Sequence, residues 1–324
     1  MEEMDLDKFL ATSLETAEQR ADASDQDEKI LLILNPEAGQ ATSLTSLGDY
    51  LQILGTKGNI VEVYFTQAEG DATRIVEEIG ANYDLVIAAG GDGTLNELVS
   101  GAVGAELTKD LGYLPSGTTC DFAKSIGIPL DLEHAAYLAR YGDVREFDVG
   151  LFSYADTHKY FTYIASFGAF TEVAYETDNV AKSTYGFFAY VVKGLQSLRN
   201  IQRFTLNYEI DGKKGSGEFL FGAILNSRQA ANGILTIDAE KMSYDDAKFE
   251  VLLVRAPDGV IEARTILNGI ANNDFSNEAF LFTKANSINI EFDAEVPWTL
   301  DGEYGGTSSE ASIDVLSKAW RLRY

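Results

Sequence analysis

Apolar residues fall in short unbroken runs through the first 115 positions, and each run ends in a polar or glycine-bearing turn. Lys29-Ile30-Leu31-Leu32-Ile33-Leu34 is followed by Asn35-Pro36-Glu37-Ala38-Gly39. Asn59-Ile60-Val61-Glu62-Val63-Tyr64-Phe65 leads to Thr66, and Tyr83-Asp84-Leu85-Val86-Ile87-Ala88-Ala89 leads to Gly90-Gly91-Asp92-Gly93-Thr94. Asp110-Leu111-Gly112-Tyr113-Leu114-Pro115 leads to Ser116-Gly117-Thr118-Thr119-Cys120-Asp121. These runs have the length of buried strands. Between them the apolar spacing becomes helical: over residues 44–54, over 72–79 with Asp71 placed to cap, and at Leu95, Leu98, Val99 and Val103. Strand alternating with helix predicts a parallel α/β layer, with ligand sites outside the carboxyl ends of its strands. Three such ends, at 35–39, 90–94 and 116–121, carry turn chemistry and are expected to converge on one ligand.

The pattern shifts after about Asp131. Short β-type runs at 145–150, 160–166, 204–210, 217–225, 249–255 and 288–292, with glycine and Asx turns between them, predict a sandwich or curled antiparallel sheet. One helical stretch interrupts them at about 184–200. The expected organisation is an α/β domain over 29–145 and a β-rich, sandwich-like domain over 146–312. The strand and tail at 313–324 fit either domain.

Composition changes this picture in three places. Residues 1–28 hold Glu2, Glu3, Asp5, Asp7, Glu15, Glu18, Asp22, Asp25, Asp27 and Glu28 against Lys8 and Arg20. They are expected to be a mobile acidic extension, a short amphipathic helix over 6–14 being the alternative. The formal net charge of −26 argues against nucleic acid as a partner and against strong whole-molecule attraction to anionic lipid. One cysteine fits a reducing setting, and no apolar run approaches the roughly 18 residues of a membrane span. Against this acidity, Lys182, Lys193, Arg199 and Arg203 lie in a stretch without acids, which is a local positive face for phosphate or a membrane surface, or simply a solvated helix face.

The candidate chemistry centres on Gly90, Gly91, Asp92, Gly93 and Thr94, between a strand and a helix. Glycine backbone lets a phosphate approach closely, and the helix N-terminus supplies unpaired N–H donors. Asp92, Asp121 and Asp148 each stand beside a glycine-bearing turn and offer carboxylates for Mg²⁺. Phosphoryl transfer also needs a group that positions or deprotonates the nucleophile. Trp298-Thr299-Leu300-Asp301-Gly302-Glu303-Tyr304-Gly305-Gly306 supplies an acid, Glu303, although Asp301-Gly302 read alone is an ordinary hairpin turn.

Gly91-Asp92-Gly93-Thr94 after a strand, with Asn35-Pro36 earlier, resembles the diacylglycerol kinase catalytic-domain superfamily. The glycine–aspartate signature is shared with NAD kinases and 6-phosphofructokinases. Pro115-Ser116-Gly117-Thr118-Thr119-Cys120-Asp121-Phe122-Ala123, Asp148-Val149-Gly150, Thr171-Glu172-Val173-Ala174-Tyr175-Glu176-Thr177, Lys182-Ser183, Phe188-Ala189-Tyr190-Val191-Val192-Lys193-Gly194 and Leu300-Asp301-Gly302-Glu303-Tyr304-Gly305-Gly306 are similar to the soluble bacterial lipid kinases. The resemblance implies the NAD-kinase/diacylglycerol-kinase-like fold, with an α/β nucleotide-binding domain, a β-sandwich-like domain and ATP·Mg²⁺ in the cleft. It implies ATP contacts from Asn35, Pro36, Glu37, Ala38, Gly39, Thr66, Gly90, Gly91, Asp92, Gly93, Thr94, Leu95, Asn96, Glu97 and Thr118. Asp92, Asp121 and Asp148 would form an aspartate–water–Mg²⁺ network, Lys193 would support activity, and Glu303 would be the general base. A second, structural Mg²⁺ would be held by the Asp246 side chain and the backbone carbonyls of Ser243 and Lys248.

The implied reaction is ATP-dependent phosphorylation of a lipid hydroxyl, diacylglycerol becoming phosphatidic acid, by a cytoplasmic enzyme in peripheral contact with the inner face of the membrane. The resemblance allows a homodimer, and the oligomeric state is left open. A kinase of a soluble substrate such as NAD, or a nucleotide-binding regulator without activity, are the alternatives. Departures from the family pattern are Gln40 for a lysine, Cys120 for asparagine, Phe167 for a glycine (expected to narrow the cleft), and Ala247 for a glycine in the metal loop. Ala230-Ala231-Asn232-Gly233 also departs from a more glycine-rich stretch.

Overall fold

The computed structural model describes residues 6–23, 27–39, 42–56, 58–168, 202–230, 235–237 and 242–324. It separates into two compact units: Met1–Phe147 with Lys318–Tyr324, and Asp148–Ser317. The chain therefore passes from the first unit to the second and returns at its end.

The first unit holds a parallel sheet in the order β2 (Ile60–Phe65), β1 (Lys29–Leu34), β3 (Leu85–Gly90), β4 (Asp110–Pro115). Leu322, near the end of β15 (Glu303–Arg323), pairs in parallel with Leu111 of β4. The returning segment is anchored further. Trp320 stacks on Phe147 at 4.9 Å between ring centroids, and Arg323 donates to Asp110 at 2.8 Å and reaches Glu28. The helices of the unit are α1 (Leu6–Ala23), α2 (Thr42–Thr45), α3 (Leu47–Leu54), α4 (Asp71–Ile79), α5 (Asp92–Gly104), α6 (Asp121–Ile126) and α7 (Leu132–Tyr141). Every residue of β3 is buried, as an unbroken apolar run in a parallel sheet should be. Strand order reverses between β1 and β3, so the chain leaves their carboxyl ends in opposite directions. Such a switch point opens a crevice, and open α/β sheets use it for ligands.

The second unit is antiparallel. Its described strands are the unit's share of β5 (Val144–Tyr154), then β6 (Thr157–Phe161), β7 (Ile164–Gly168), β8 (Phe204–Ile210), β9 (Lys213–Leu225), β10 (Gln229–Ala230), β11 (Leu235–Thr236), β12 (Phe249–Arg255), β13 (Phe280–Ala285), β14 (Ser287–Leu300) and the first part of β15, with α8 (Val260–Ala271). The long strands β9 and β14 each change partner along their length. β8 pairs with one part of both and β7 with the other, so β7, β9, β8 and β14 close a ring. A curled sheet of this kind removes exposed edges. Alternate residues of β12 serve two cores: Phe249, Val251 and Leu253 pack with Phe161, Phe167, Phe292 and Trp298, whereas Leu252 and Val254 pack with Ile266 and Ile270 of α8. Large rings inside the curl are accommodated by glycines directly opposite. Gly150 faces Phe161, Gly222 faces Phe167 and Gly215 faces Tyr208, and a Cβ on any of the three would come within 2.2 Å of the ring or its hydroxyl.

Three expectations are corrected here, and one left open is resolved. The acidic extension is helical over Leu6–Ala23. Its Leu10, Leu14, Ala17 and Ala21 pack on Leu138 and Tyr141 of α7, and Arg20 donates to the Gly142 carbonyl at 2.8 Å. An apolar stripe on α1 outweighs its acidity. The C-terminal strand returns to the α/β unit. Asp71 does not cap α4; its carboxylate accepts from the N–H groups of Gln67 and Ala68 outside the helix. Phe167 does not narrow a cleft: it is fully buried at the centre of the β core, where Gly222 makes room for it. The expected helix at 184–200 and the positive face at Lys182, Lys193 and Arg199 lie outside the described residues.

Candidate active site

The α/β unit brings three loops together at the carboxyl ends of β1, β3 and β4. Asn35, just past β1, donates its N–H to the Ala89 carbonyl at 2.9 Å and its side-chain amide to Thr94 Oγ1 at 3.3 Å. That second bond spans the switch point between β1 and β3. The Asn35 Oδ1 also accepts from Glu37 N–H at 3.0 Å, an Asx turn that shapes the first loop, and Gly39 takes φ +54°. The third loop docks on the glycine turn: Ser116 and Gly117 N–H both donate to the Gly90 carbonyl, at 2.9 and 3.2 Å. A Cβ on Gly117 would come within 2.4 Å of Gly91 Cα, so these two glycines let backbone pass against backbone. Gly90 likewise leaves space for Thr94, which is buried.

Two acids of α5 are spent on neighbouring helices. Asp92 is buried and accepts from Asp121 N–H at 2.9 Å, Phe122 N–H at 3.2 Å and Thr119 Oγ1 at 3.3 Å. It thereby serves the N-terminus of α6, whose own preceding residue, Cys120, adopts φ +50° and makes no side-chain cap. Glu97 accepts from Gly70 and Ala72 N–H, both at 2.9 Å, and so caps α4 in place of Asp71. Asp92 and Asp121 are thus held side by side, with Asp121 in the first turn of α6. Thr118 is exposed and Thr66 half-buried in their loops, and Asn96 accepts from Ser100 Oγ at 3.4 Å. Pro36, Glu37 and Ala38 lie in the first loop, and Gly93 and Leu95 in the first turns of α5, Leu95 pointing into the core. Burial pushes the Cys120 thiol above its ordinary pKa, and the Asp92 charge adds to this.

Asp148 belongs to the second unit and is fully buried. Its N–H donates to the Tyr244 carbonyl and its Oδ2 accepts from Ala247 N–H, both at 2.7 Å. It therefore fixes the 243–248 loop. Glu303 is exposed and opens β15, directly after the two-residue turn Asp301-Gly302. That turn has φ +49° and +86°, as a two-residue hairpin of the primed type requires. Asp301 does more than turn the chain. It is buried, and its carboxylate accepts from Thr162 N–H and Oγ1, Tyr163 N–H and Ile164 N–H at 2.6 to 3.0 Å. Burial pushes this carboxyl's pKa up, and those donors pull against it. Asn226 continues the chain of contacts. It donates N–H to the Tyr163 carbonyl at 2.9 Å and its side-chain amide to the carbonyls of Asp148 at 3.2 Å and Thr162 at 3.4 Å. Glu303, Asp301, Asn226 and Asp148 are thereby coupled through backbone. The reading from residue type missed Asn226 and Thr162 altogether, and saw Asp301 only as a turn former.

In the 243–248 loop, Asp246 accepts from Lys248 N–H at 3.1 Å, and its Oδ2 lies 2.8 Å from Lys284 Nζ. Lys284 also lies 3.1 Å from Oε1 of Glu250, which is 1 % exposed. Burial pushes Glu250 up to about 7, against the pull of Lys284. Ala247 holds φ +60° where a glycine was expected. No group of three or more His, Cys, Asp or Glu side chains that could hold a metal occurs among the described residues, and none of their helices is long and apolar enough to cross a membrane. Lys193, the remaining residue implied by the resemblance, lies outside the described residues, as does Gln40.

Residues 29–152 match the family model of the diacylglycerol kinase catalytic domain. The chain is 34 % identical to a diacylglycerol kinase of Staphylococcus aureus, over 88 % of this chain and 91 % of that one. It is 31 % identical to a diacylglycerol kinase of Bacillus subtilis, over 85 % of this chain and 89 % of that one. The crystal structure of a diacylglycerol kinase from Bacillus anthracis superposes with a TM-score of 0.70 at 23 % identity, over 93 % of this chain and 98 % of that one. With the two-unit α/β and β-rich architecture, these matches define a lipid kinase. The chain belongs to the diacylglycerol kinase family.

Proposed function

We propose that this chain moves the γ-phosphoryl group of ATP to the hydroxyl of a membrane lipid, diacylglycerol being the acceptor its family supports, to yield phosphatidic acid. The observation that carries this reading is the Asn35–Thr94 contact across the β1/β3 switch point, with the Gly91–Gly117 backbone passage beside it. Together they leave the first turn of α5 and three loop backbones facing the place where such sheets take nucleotides. The phosphates are held by N–H groups at the α5 start, by Thr94 and by the 35–39 loop. Asp121, set in place by Asp92, is the carboxylate that suits a magnesium ion, which would offset phosphate charge as it shifts to the leaving group.

Glu303 takes the proton of the lipid hydroxyl. That oxygen bonds to the γ-phosphorus, the bond from phosphorus to the β-bridging oxygen breaks, and ADP leaves. The lipid lies in a membrane, so contact with the bilayer is peripheral and reversible. The test is transfer of label from ATP to diacylglycerol in mixed micelles, with NAD as the rival acceptor. We expect labelled phosphatidic acid and no labelled NADP. Glu303→Gln should lower turnover by roughly 10²–10⁴-fold with ATP affinity kept, the range for loss of a general base. Turnover near the parent's in that variant would sink the base assignment, and ATP binding without transfer to any acceptor would favour a regulator. Co-sedimentation with vesicles checks the membrane contact.

A further inference from the structure

The 243–248 loop is held from three sides. Asp148 takes the Ala247 N–H and donates to the Tyr244 carbonyl, and Asn286 donates its side-chain amide to the Ala247 carbonyl at 3.0 Å. The third hold is Lys284. Lys284 on β13 is directly opposite Glu250 on β12, and its Nζ sits between the loop carboxylate of Asp246 and the buried carboxylate of Glu250.

The family likeness calls for a magnesium ion here, on the Asp246 side chain and the carbonyls of Ser243 and Lys248. The residues present do not suit one. Mg²⁺ demands near-octahedral oxygen ligands at about 2.0–2.1 Å. Asp246 is the single side-chain ligand, yet its Oδ1 accepts from Lys248 N–H and its Oδ2 carries an ammonium at 2.8 Å. A divalent ion on Asp246 would also stand close to a fixed positive charge. Conversely, Glu250 is buried on the face of β12 that it shares with Leu252 and Val254, and the ammonium 3.1 Å from its Oε1 favours its charged form there.

We propose that the Lys284 ammonium is the cation that fixes the 243–248 loop, in place of a structural magnesium ion. The protein supplies the charge covalently, so the loop keeps its shape whatever the magnesium level. This does not rest on the reading of the reaction, and the test contains no nucleotide or lipid.

The test is thermal melting of the whole chain without nucleotide, in EDTA and in millimolar MgCl₂, with metal content measured alongside. A site filled at about 100 times its Kd would raise the midpoint by roughly 5–10 °C for a unit of this size. The parent protein is expected to shift by less than about 1 °C, within the error of such melts. Lys284→Met should lower the midpoint by roughly 4–10 °C in EDTA, and Lys284→Arg should keep most of it. A magnesium-dependent rise in the parent that Asp246→Asn abolishes would place the ion in the loop and overturn the proposal. A Lys284→Met variant that melts with the parent would overturn it too. If that variant does not fold, the parent's response to EDTA and MgCl₂ decides.

Discussion

The two units spend their acids differently. In the α/β unit, Asp92 and Glu97 sit five residues apart on α5 and reach out to the starts of two other helices, α6 and α4. The partners lie 25 to 30 residues away, and what is fixed is the mutual placement of short βα loops. In the β-rich unit, Asp148 and Asp301 are buried and take backbone N–H groups 99 and 137 to 139 residues away. There a carboxylate substitutes for sheet pairing where the backbone leaves its ladder. A parallel layer can build a phosphate site from neighbouring loops. In the curled antiparallel sheet the 301–302 turn is tied to remote chain by buried charge.

If that contrast holds, Asp301 should matter most. Asparagine tolerates the left-handed backbone of residue 301, so Asp301→Asn tests the carboxylate and spares the turn. Placing an amide NH₂ against two of the four donors should cost about 3 kcal/mol, seen as a lower denaturation midpoint, and turnover should fall with it. Asp92→Ala comes next at about 2 kcal/mol, with three donors left unpaired, and Glu97→Ala at about 1 kcal/mol, the ordinary worth of a helix cap. Both are read by urea melts, and equal losses for Asp301→Asn and Glu97→Ala would dissolve the distinction. The smallest effects are gains. Cys120 and Ala247 are left-handed residues, one in each unit, where glycine or asparagine would sit with less strain. Cys120→Asn and Ala247→Gly should each raise stability by about 0.5–1 kcal/mol by relieving that backbone. Thermal midpoints check them, and a fall in either would show that side-chain packing outweighs the φ strain.

The same contrast explains what could be read beforehand. The parallel unit was legible because its signals are contiguous: strand, turn and helix follow each other within 20 residues of Gly90, and an unbroken apolar run and the 3.6 period name them. Even there the work of Asp92 and Glu97 was not, since a carboxylate's type does not say which N-terminus lies across from it. Capping of α4 went to Glu97 because α5 packs beside it, a tertiary fact. In the β-rich unit the presence of strands was legible, and their pairing was not. Phe167 looks like an intrusion until the register places Gly222 opposite it. Lys284 looks like a surface lysine until the register places Glu250 opposite it. Asp301-Gly302 was legible as a turn, but the fourfold grip on residues 162–164 requires the closed curl of β7 against β14.

The return of Lys318–Tyr324 to the first unit has a consequence for biosynthesis. Domains generally fold in the order they leave the ribosome. Here Trp320 covers Phe122 and Phe147, Leu322 joins β4, and Arg323 ties Glu28 to Asp110, all supplied some 170 residues after Phe147. The nascent α/β unit must wait, with one sheet edge and an aromatic cluster uncovered, until the β-rich unit has been made. The α/β unit would then be the last to close, so a chain released early would keep the edge of β4 and the Phe122–Phe147 cluster uncovered.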